Sequence, residues 1–196
     1  MKRVAVTGLG VISPVGNDVP TFWNALCSGT CGIGPITKFD ATDYPVKLAA
    51  EVRNFDPKQY MEKLDIMHSD VYTHFAMAAA CQAVADSGIA GTLDAERVGV
   101  YIGSGIGGIA TFMTEHSKLL NRGPRRVSPY FIPMMIPNMA SSMIAMRYHF
   151  HGPAMPMVTA CASGTNAIGE ALRLIRHGYA DAMVAGGAEA TVNALA

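Results

Sequence analysis

The sequence predicts an α/β fold built on a buried, mostly parallel sheet. Short apolar runs of strand length alternate along the 196 residues with longer stretches of helical periodicity. Such alternation is typical of sheets whose parallel strands are joined by crossover helices. A chain of this length can bury a substantial single core, so we expect one domain.

The first quarter of the chain predicts two strands and one helix. Residues 4–12 form an apolar run that leads into a turn rich in glycine and proline, as expected of a buried strand. Asn17 or Asp18 can cap a short helix, and residues 29–45 predict an irregular connection. Alternation over residues 46–52 predicts a short strand.

The rest of the chain predicts three more strands and four helices. The predicted strands cover residues 98–102, 156–158 and 182–185. The predicted helices cover residues 68–86, 109–120, 133–148 and 163–177. Gly88 is expected to end the first of these helices, and residues 121–129 read as a basic loop.

Cys161 lies at a predicted corner between a strand and a helix, where a nucleophile is expected. The small residues Ala160, Ala162 and Gly164 leave room for a sharp bend and for a ligand carbonyl close to the backbone. The free N–H groups and the positive end of the helix dipole favour a thiolate at this point. The alternative is a buried structural cysteine, which is the commoner fate of a lone cysteine in an apolar chain.

Residues 159–169, TACASGTNAIG, resemble the active-site segment of the β-ketoacyl-[acyl-carrier-protein] synthases, the condensing enzymes of fatty-acid synthesis, and most closely the type II elongating kind. Further motifs match in the family's order at residues 3–10, 103–108, 128–133 and 184–189. The resemblance implies the N-terminal half of a thiolase-like fold, with a mostly parallel five-stranded sheet and helices on both faces. Residues 1–196 are then the N-terminal β-ketoacyl synthase domain, and the C-terminal half is expected to be absent from this sequence.

The resemblance also implies an acyltransferase that carries out a decarboxylative Claisen condensation. Cys161 accepts an acyl group, which then condenses with the malonyl thioester of acyl carrier protein, so that a fatty acid grows by two carbons. The family's two catalytic histidines, its lysine and one N–H of its oxyanion hole belong to the second half. Cys161, with its own N–H, is therefore the catalytic residue expected here, and neither His149 nor His151 is assigned a catalytic role.

Three other functions stay open beside this one. The chain could be a non-catalytic half that acts only as a dimerising scaffold, because the family pattern continues past Ala196. A polyketide-type ketosynthase is a second alternative. A degradative thiolase shares the fold and the cysteine, but its cysteine segment normally lies much nearer the N-terminus than residue 161.

The segment at residues 103–108, GSGIGG, has the G-x-G-x-x-G spacing of a dinucleotide-binding loop. That fingerprint also requires an acidic residue about 20 positions further on. The sequence has no Asp or Glu between Glu115 and Glu170. We therefore expect no nucleotide here, and the family resemblance implies instead that the loop lines an acyl-chain pocket at a dimer interface, with Ile106 as a chain-length gate.

Two further residues are assigned to the acyl pocket by the resemblance alone. The family arrangement places Phe131 and Met134 against the acyl chain across the dimer interface. The alternative is core packing, which explains most methionines in the predicted helix at residues 133–148, because methionine fills irregular gaps.

Arg125 and Arg126 belong to the densest basic cluster of the chain, together with Arg122. Acyl carrier protein is acidic in this pathway, so a basic docking patch is expected near the pocket mouth. The resemblance places Arg125 and Arg126 in that patch, and Lys63 is a secondary candidate for it. The alternative is a solvated charged loop, since exposed charges commonly contribute little.

Charge and composition give no reason to expect a nucleic-acid or membrane partner. Lys and Arg together number 15, as do Asp and Glu. Only 15% of the residues are charged, against about a quarter in average proteins, which indicates a surface that a dimer partner or a larger fold covers. No apolar stretch reaches the roughly 18 residues of a membrane span. The N-terminus does not resemble a secretory leader. The cysteines lack the spacing that is typical of zinc sites. We expect a cytoplasmic homodimer without a metal or other cofactor.

Overall fold

Within residues 3–196, which the computed structural model describes, the strands form one parallel and one antiparallel sheet. The antiparallel sheet pairs β1 (Ile33–Pro35) with β2 (Leu48–Ala50). The parallel sheet contains β3 (Val98–Gly103), β4 (Ala154–Met157) and β5 (Ala182–Gly187), in the spatial order β4-β3-β5. Met1 and Lys2 of the predicted domain lie outside the described residues.

Seven α-helices occur in the same described range. They are α1 (Val19–Cys27), α2 (Lys63–Met67), α3 (Val71–Ser87), α4 (Ile109–Arg122), α5 (Phe131–Met135), α6 (Met139–Tyr148) and α7 (Ser163–His177). Short 3₁₀ turns lie at Pro57–Gln59, Ala95–Arg97 and Pro124–Arg126. None of these helices is long and apolar enough to cross a bilayer.

Helices cover both faces of the parallel sheet, as predicted. Successive side chains of a strand point to opposite faces. On one face of β3, Val98, Val100 and Ile102 join the buried core that α3 and α6 complete. On the other face, Gly103 abuts Ser163, the first residue of α7. The two layers of helices thus enclose β3, which is buried along its whole length.

The strand predicted for residues 4–12 is wrong. This segment has no regular secondary structure and lies against α3, where the N–H groups of Leu9 and Val11 donate to the side chains of Asp86 (3.0 Å) and Gln82 (3.1 Å). Leu9 is 56% exposed, so the segment is not a buried strand. Side chains of α3 take the amide hydrogens that a neighbouring strand would otherwise accept, which explains the difference.

The five predicted strands do not share one sheet. The strand predicted over residues 46–52 is β2, and it pairs antiparallel with β1. β1 itself lies in the connection that the sequence predicted to be irregular. The alternating pattern specified a strand but not its partner, and the strand formed its pairs with the segment that precedes it in sequence.

Residues 133–148 form parts of two helices, where the sequence predicted one. α5 ends at Met135 and α6 begins at Met139, while Ile136 between them is extended, with ψ at 139°. Pro137 explains the break. A proline disfavours the helical conformation in the residue before it and cannot donate the next helical hydrogen bond.

Two helix ends follow the predicted signals, and Asp70 forms a cap that was not predicted. Asp18 caps α1 by accepting the Thr21 N–H at 2.8 Å. Gly88 ends α3 in the left-handed conformation, with φ at 65°. Asp70 caps the start of α3, and its second carboxylate oxygen accepts both the N–H and the hydroxyl of Thr111 in α4. One buried carboxylate therefore joins the starts of two helices.

Candidate active site

Cys161 lies in the turn between β4, which ends at Met157, and α7, which begins at Ser163. Its side chain is exposed, so the alternative of a buried structural cysteine is wrong. Ala160 has φ at 52°, in the left-handed region that residues with a Cβ rarely adopt. The chain therefore turns sharply at the residue before the thiol, at a cost of about 1–2 kcal/mol.

Hydrogen bonds hold this turn in its unfavourable conformation. The Ser163 hydroxyl donates to the Ala160 carbonyl (2.6 Å) and accepts the N–H of Thr159 (2.9 Å). The Asn166 side-chain amide donates to the Thr159 hydroxyl at 2.8 Å. Ser163 is buried, so its bonds are shielded from competing water. These bonds compensate the backbone strain and define where Cys161 stands.

Glycines bring the start of α7 onto the ends of the strands. A Cβ at Gly103, the last residue of β3, would lie 2.3 Å from the carbonyl carbon of Ser163. A Cβ at Gly187, the last residue of β5, would lie 2.8 Å from the Cα of Gly164. Any side chain at either glycine would push α7 away from the sheet. Cys161 consequently stands at the carboxyl ends of parallel strands, where α/β proteins place their ligands.

The amide groups of the loop at residues 103–108 are bound by the protein itself. The Glu189 carboxylate accepts the N–H groups of Gly105 (2.7 Å) and Ile106 (3.3 Å). The Ser104 hydroxyl accepts the N–H of Gly107 at 2.9 Å. A phosphate would need free N–H groups of this kind. Because these N–H groups already donate to Glu189 and Ser104, they are not available to a nucleotide phosphate, in agreement with the expectation from sequence.

Cys161 and Ile106 line one pocket of about 690 Å³. The wall beside the thiol also includes Thr165 and Ile168 of α7. Ile106 and Ile168 are each about half exposed, so apolar surface is available in the pocket. Small-molecule sites commonly have volumes of about 300–1,000 Å³. The arrangement can hold an apolar chain beside a nucleophile.

A second cavity, of about 340 Å³, lies between residues 10–14 and residues 187–192. Its lining includes Lys38, Glu51 and Phe75 but neither a cysteine nor a histidine. Glu51 is occupied there by the hydroxyl and N–H of Thr37. Because this cavity contains no thiol, the pocket of Cys161 is the candidate active site.

Phe131 and Met134 lie on α5 and are not among the residues that line the Cys161 pocket. α5 instead supports the glycine loop from behind, since the carbonyl of Met135 accepts the N–H of Gly108 at 2.9 Å. The ring of Phe131 lies 6.3 Å from the ring of Phe112 in α4. Contact of Phe131 and Met134 with an acyl chain across a dimer interface stays a prediction.

The three predicted docking residues are exposed and lie on neighbouring elements. Arg125 and Arg126 lie in the 3₁₀ turn after α4, and Lys63 begins α2. His68, at the end of α2, stacks on Tyr130 with ring centroids 3.7 Å apart. α2 therefore lies beside the chain that follows the arginines. Binding of a carrier protein at this patch stays a prediction.

Glu115 anchors the segment that carries the arginines. Its buried carboxylate accepts the Lys118 ammonium and, at 2.7 Å, the N–H of Ser128. The hydrogen bond from Lys118, followed by the one from Ser128, holds the pKa of Glu115 below its usual range. Glu115 thus ties the chain after the arginines back to the helix that precedes them.

No histidine in residues 3–196 lines the Cys161 pocket. Nδ1 of His151 lies 3.2 Å from the carboxylate of Glu96. His149 ends α6 in the left-handed conformation, with φ at 54°. His74 is buried next to Ser69, and this burial lowers the pKa of His74. None of these three histidines therefore lies at the Cys161 pocket.

The remaining cysteines lie apart from the pocket. Cys27 and Cys31 are exposed and free, and Cys81 is half-buried and free. In the described part of the chain, no group of three or more His, Cys, Asp or Glu side chains could hold a metal ion.

Sequence reasoning missed the parts that Ser163 and Glu189 play in the site. The position of Glu189 could have indicated a functional role, because it follows a glycine pair at the end of a predicted strand. Ligands of parallel sheets bind at this end of the strands. Ser163 had no such signal, since its two bonds exist only after the chain has turned at Ala160.

The chain matches the family model described as "Beta-ketoacyl synthase, N-terminal domain" over residues 1–196. It is 50% identical over 189 residues to the 3-oxoacyl-[acyl-carrier-protein] synthase 2 of Coxiella burnetii and 45% identical over 196 residues to that of Staphylococcus aureus. These matches cover 96% and 100% of this chain but 46% and 47% of the relatives. The chain therefore spans about half the length of the curated relatives that it matches.

Solved ketosynthases have the same fold. The ishigamide ketosynthase/chain length factor matches with a TM-score of 0.88 and 29% identity, over 95% of this chain and 47% of that chain. A type II PKS ketosynthase, solved in complex with its acyl-carrier protein and bound to the hexaketide, matches with a TM-score of 0.84 and 26% identity, over 99% of this chain and 53% of that chain. The predicted α/β class and its thiolase-like fold are confirmed.

Proposed function

Because this chain belongs to the β-ketoacyl synthase family, whose N-terminal domain it matches along its whole length, we propose that Cys161 is the acyl acceptor of a condensing enzyme that extends fatty acids by two carbons. One observation carries the proposal. Cys161 presents an exposed thiol just before α7, in a pocket of about 690 Å³ that it shares with Ile106. A thiol in this position can attack a thioester while the pocket holds the attached chain.

The first step is transfer of the acyl group to Cys161. The cysteine sulfur attacks the carbonyl carbon of the acyl thioester, and a bond to that carbon forms. The bond from the same carbon to the sulfur of the carrier breaks, and the carrier leaves as a thiol with the proton that Cys161 gives up. The N–H of Cys161 is one donor to the oxyanion that forms in between, and the family's second half supplies the other.

The second step is condensation with a malonyl thioester. The bond from the malonyl methylene to its carboxylate breaks, carbon dioxide leaves, and the electron pair stays on the thioester as an enolate. The methylene carbon then attacks the acyl group on Cys161, whose sulfur leaves and takes up a proton. Stabilising the enolate is the task of the two histidines that the resemblance assigns to the second half.

Intact mass of the protein that carries this chain tests the assignment of Cys161. After incubation with an acyl-carrier thioester, we expect an added mass equal to one acyl group. Cys161→Ser should abolish the adduct, because an alcohol at this corner lacks the nucleophilicity of a thiolate. Cys31→Ser, which removes another exposed thiol, should leave it unchanged.

The same experiment separates this proposal from the scaffold alternative. An adduct that persists in Cys161→Ser, or no adduct on folded protein, contradicts the catalytic role. The second of these outcomes favours a half that only supports dimerisation.

Polyketide synthesis is the second candidate function. The solved ketosynthases of similar structure favour it, since one of them is a type II PKS enzyme. The relatives named 3-oxoacyl-[acyl-carrier-protein] synthase 2 share a larger fraction of residues with this chain, at 45–50% identity against 26–29% for the solved ketosynthases, and they favour fatty-acid elongation. Product analysis with malonyl-carrier thioester decides between the two. A single two-carbon extension per acyl chain supports fatty-acid elongation, and repeated extension without reduction supports the polyketide role.

We further propose that the exposed patch of Arg125, Arg126 and Lys63 binds acyl carrier protein. Replacing both arginines by alanine should lower the kcat/KM for an acyl-carrier substrate by up to about thirtyfold, since each exposed ion pair contributes at most ~1 kcal/mol. The salt dependence of that rate should weaken as well. Arg176→Ala, an exposed arginine at the end of α7, serves as the control. Equal losses with a small acyl thioester that has no carrier would contradict a docking role.

A homodimer is the assembly that we propose. β4 lies at an edge of the parallel sheet, and Met155 in that strand is 51% exposed. Val158, just beyond the strand, is 54% exposed. Apolar side chains on an open sheet edge need cover. Sedimentation should therefore give a dimer, and Met155→Lys should weaken it.

The cytoplasm is the compartment that we propose for this protein. Its four cysteines are free, and reduced thiols persist in cytosolic proteins. Fractionation of cells that produce the protein checks this, and recovery outside the cytoplasmic fraction would contradict it.

A further inference from the structure

Glu189 is the one acidic or basic side chain among the described residues that line the Cys161 pocket. It follows β5, and its carboxylate reaches back to the glycine loop. One oxygen accepts the N–H groups of Gly105 (2.7 Å) and Ile106 (3.3 Å), and the other accepts the Ser104 hydroxyl (3.3 Å). Hydrogen bonds to a carboxylate are stronger than those between neutral groups. Glu189 thus binds three consecutive residues of the loop.

An anchor matters in this loop because the loop is rich in glycine. Four of the six residues in 103–108 are glycine, and glycine has the largest conformational freedom to lose. The loop also lies close to the nucleophile corner. A Cβ at Gly105 would be 3.2 Å from the Glu189 carboxylate and 3.6 Å from the Cα of Ala160. The carboxylate therefore influences how far Ile106 stands from Cys161.

We propose that Glu189 is a positioning residue that holds Ile106 in place and so limits the length of the acyl chain that the pocket accepts. The inference rests on the proposed function, because an acyl chain must occupy the pocket for Ile106 to limit its length. Ile106 is 48% exposed, and its side chain has room to move once the loop is released. Removal of the anchor allows Ile106 to move aside, so that longer chains enter.

Three variants of the protein that carries this chain test the proposal. Glu189→Ala removes both acceptor oxygens, whereas Glu189→Gln keeps one. Glu62→Ala is the matched control, because Glu62 is exposed and makes no side-chain hydrogen bond to the start of α2. Amide hydrogen exchange at Gly105 and Ile106 measures the anchoring directly and does not depend on activity. The ratio of acylation rates for a long and a short acyl-carrier thioester measures the selectivity.

We expect exchange at both amides to be about tenfold or more faster in Glu189→Ala, since a hydrogen bond to a charged group is lost. The long-to-short ratio should rise about tenfold, the scale on which pockets discriminate small differences in chain size. Glu189→Gln should fall between Glu189→Ala and the parent, and Glu62→Ala should match the parent in both measurements.

Unchanged exchange in Glu189→Ala overturns the anchoring. Faster exchange with an unchanged ratio overturns the role in chain length, while acylation of Cys161 still supports the proposed function. A parent protein that acylates no chain overturns the proposed function and the role in chain length with it, and the exchange rates then decide the anchoring alone. Because Glu189→Gln keeps the size of the side chain, it provides a folded variant if Glu189→Ala does not fold.

Discussion

A single methyl group at Gly103 should displace the corner that carries Cys161, the proposed nucleophile. The Cβ of Gly103→Ala would lie 2.3 Å from the carbonyl carbon of Ser163 and 2.7 Å from the nitrogen of Gly164. Ordinary contact begins at 3.4 Å, so the first turn of α7 must retreat by about 1 Å. Overpacking of this kind costs about 1–3 kcal/mol of unfolding free energy. A misplacement of about 1 Å at a reacting group can also lower a rate ~100-fold.

Urea unfolding and the rate of acyl transfer to Cys161 measure the two effects separately. Gly169→Ala is the matched control, because Gly169 belongs to the same helix and has nothing within 4 Å of the position of a Cβ. It should stabilise the protein by about 0.5–1 kcal/mol, since alanine is favoured over glycine inside a helix. If Gly103→Ala unfolds with the parental free energy and acylates at the parental rate, the reasoning about backbone contact is refuted.

Two further predictions concern buried carboxylates. Asp70→Ala should lower the unfolding free energy by about 2–4 kcal/mol, because two helix starts lose their cap at once, and Asp70→Asn should lose less. Urea titrations check this, and a loss below about 0.5 kcal/mol would contradict the double cap. Because the folded protein lowers the pKa of Glu115 from its ordinary value of 4.5, the ionised carboxylate stabilises the fold at pH values above 4.5. This contribution should disappear as the pH falls through the lowered pKa. Between pH 6 and pH 3, the unfolding free energy of Glu115→Gln should therefore decrease less than that of the parent. An equal decrease in both proteins would contradict a lowered pKa for Glu115.

The parts of the fold that depend on local chemistry could be predicted from the sequence. Gly88 and Gly178 end α3 and α7 because both adopt the left-handed conformation that glycine permits. The corner at Cys161 could also be predicted, since small residues and a strand-helix junction are local signals. The break at Pro137 had a local signal too, and the periodicity of the methionines concealed it.

The parts that could not be predicted depend on partners far away in the chain. Residues 4–12 have the pattern of a strand, but the N–H of Val11 is bound by Gln82, 71 residues further on. Glu189 binds the N–H of Gly105, 84 residues earlier. A pattern within a short window contains no information about such pairs. The three predicted docking residues are a third case, since contacts between distant segments, such as the stacking of His68 on Tyr130, bring α2 near the segment that carries the arginines.

The floor of the Cys161 pocket consists of backbone, and this limits how such a pocket can evolve. Gly103 and Gly187 meet the start of α7 with no side chain between them. A substitution there moves the helix that follows Cys161, so we expect it to slow the proposed acyl transfer before it alters the cavity. Changes at the walls, at Ile106 or Ile168, reshape the cavity while the thiol stays in place. Mutant libraries aimed at new acyl chains should therefore vary the wall residues and leave the floor glycines unchanged, because different residues determine selectivity and reactivity.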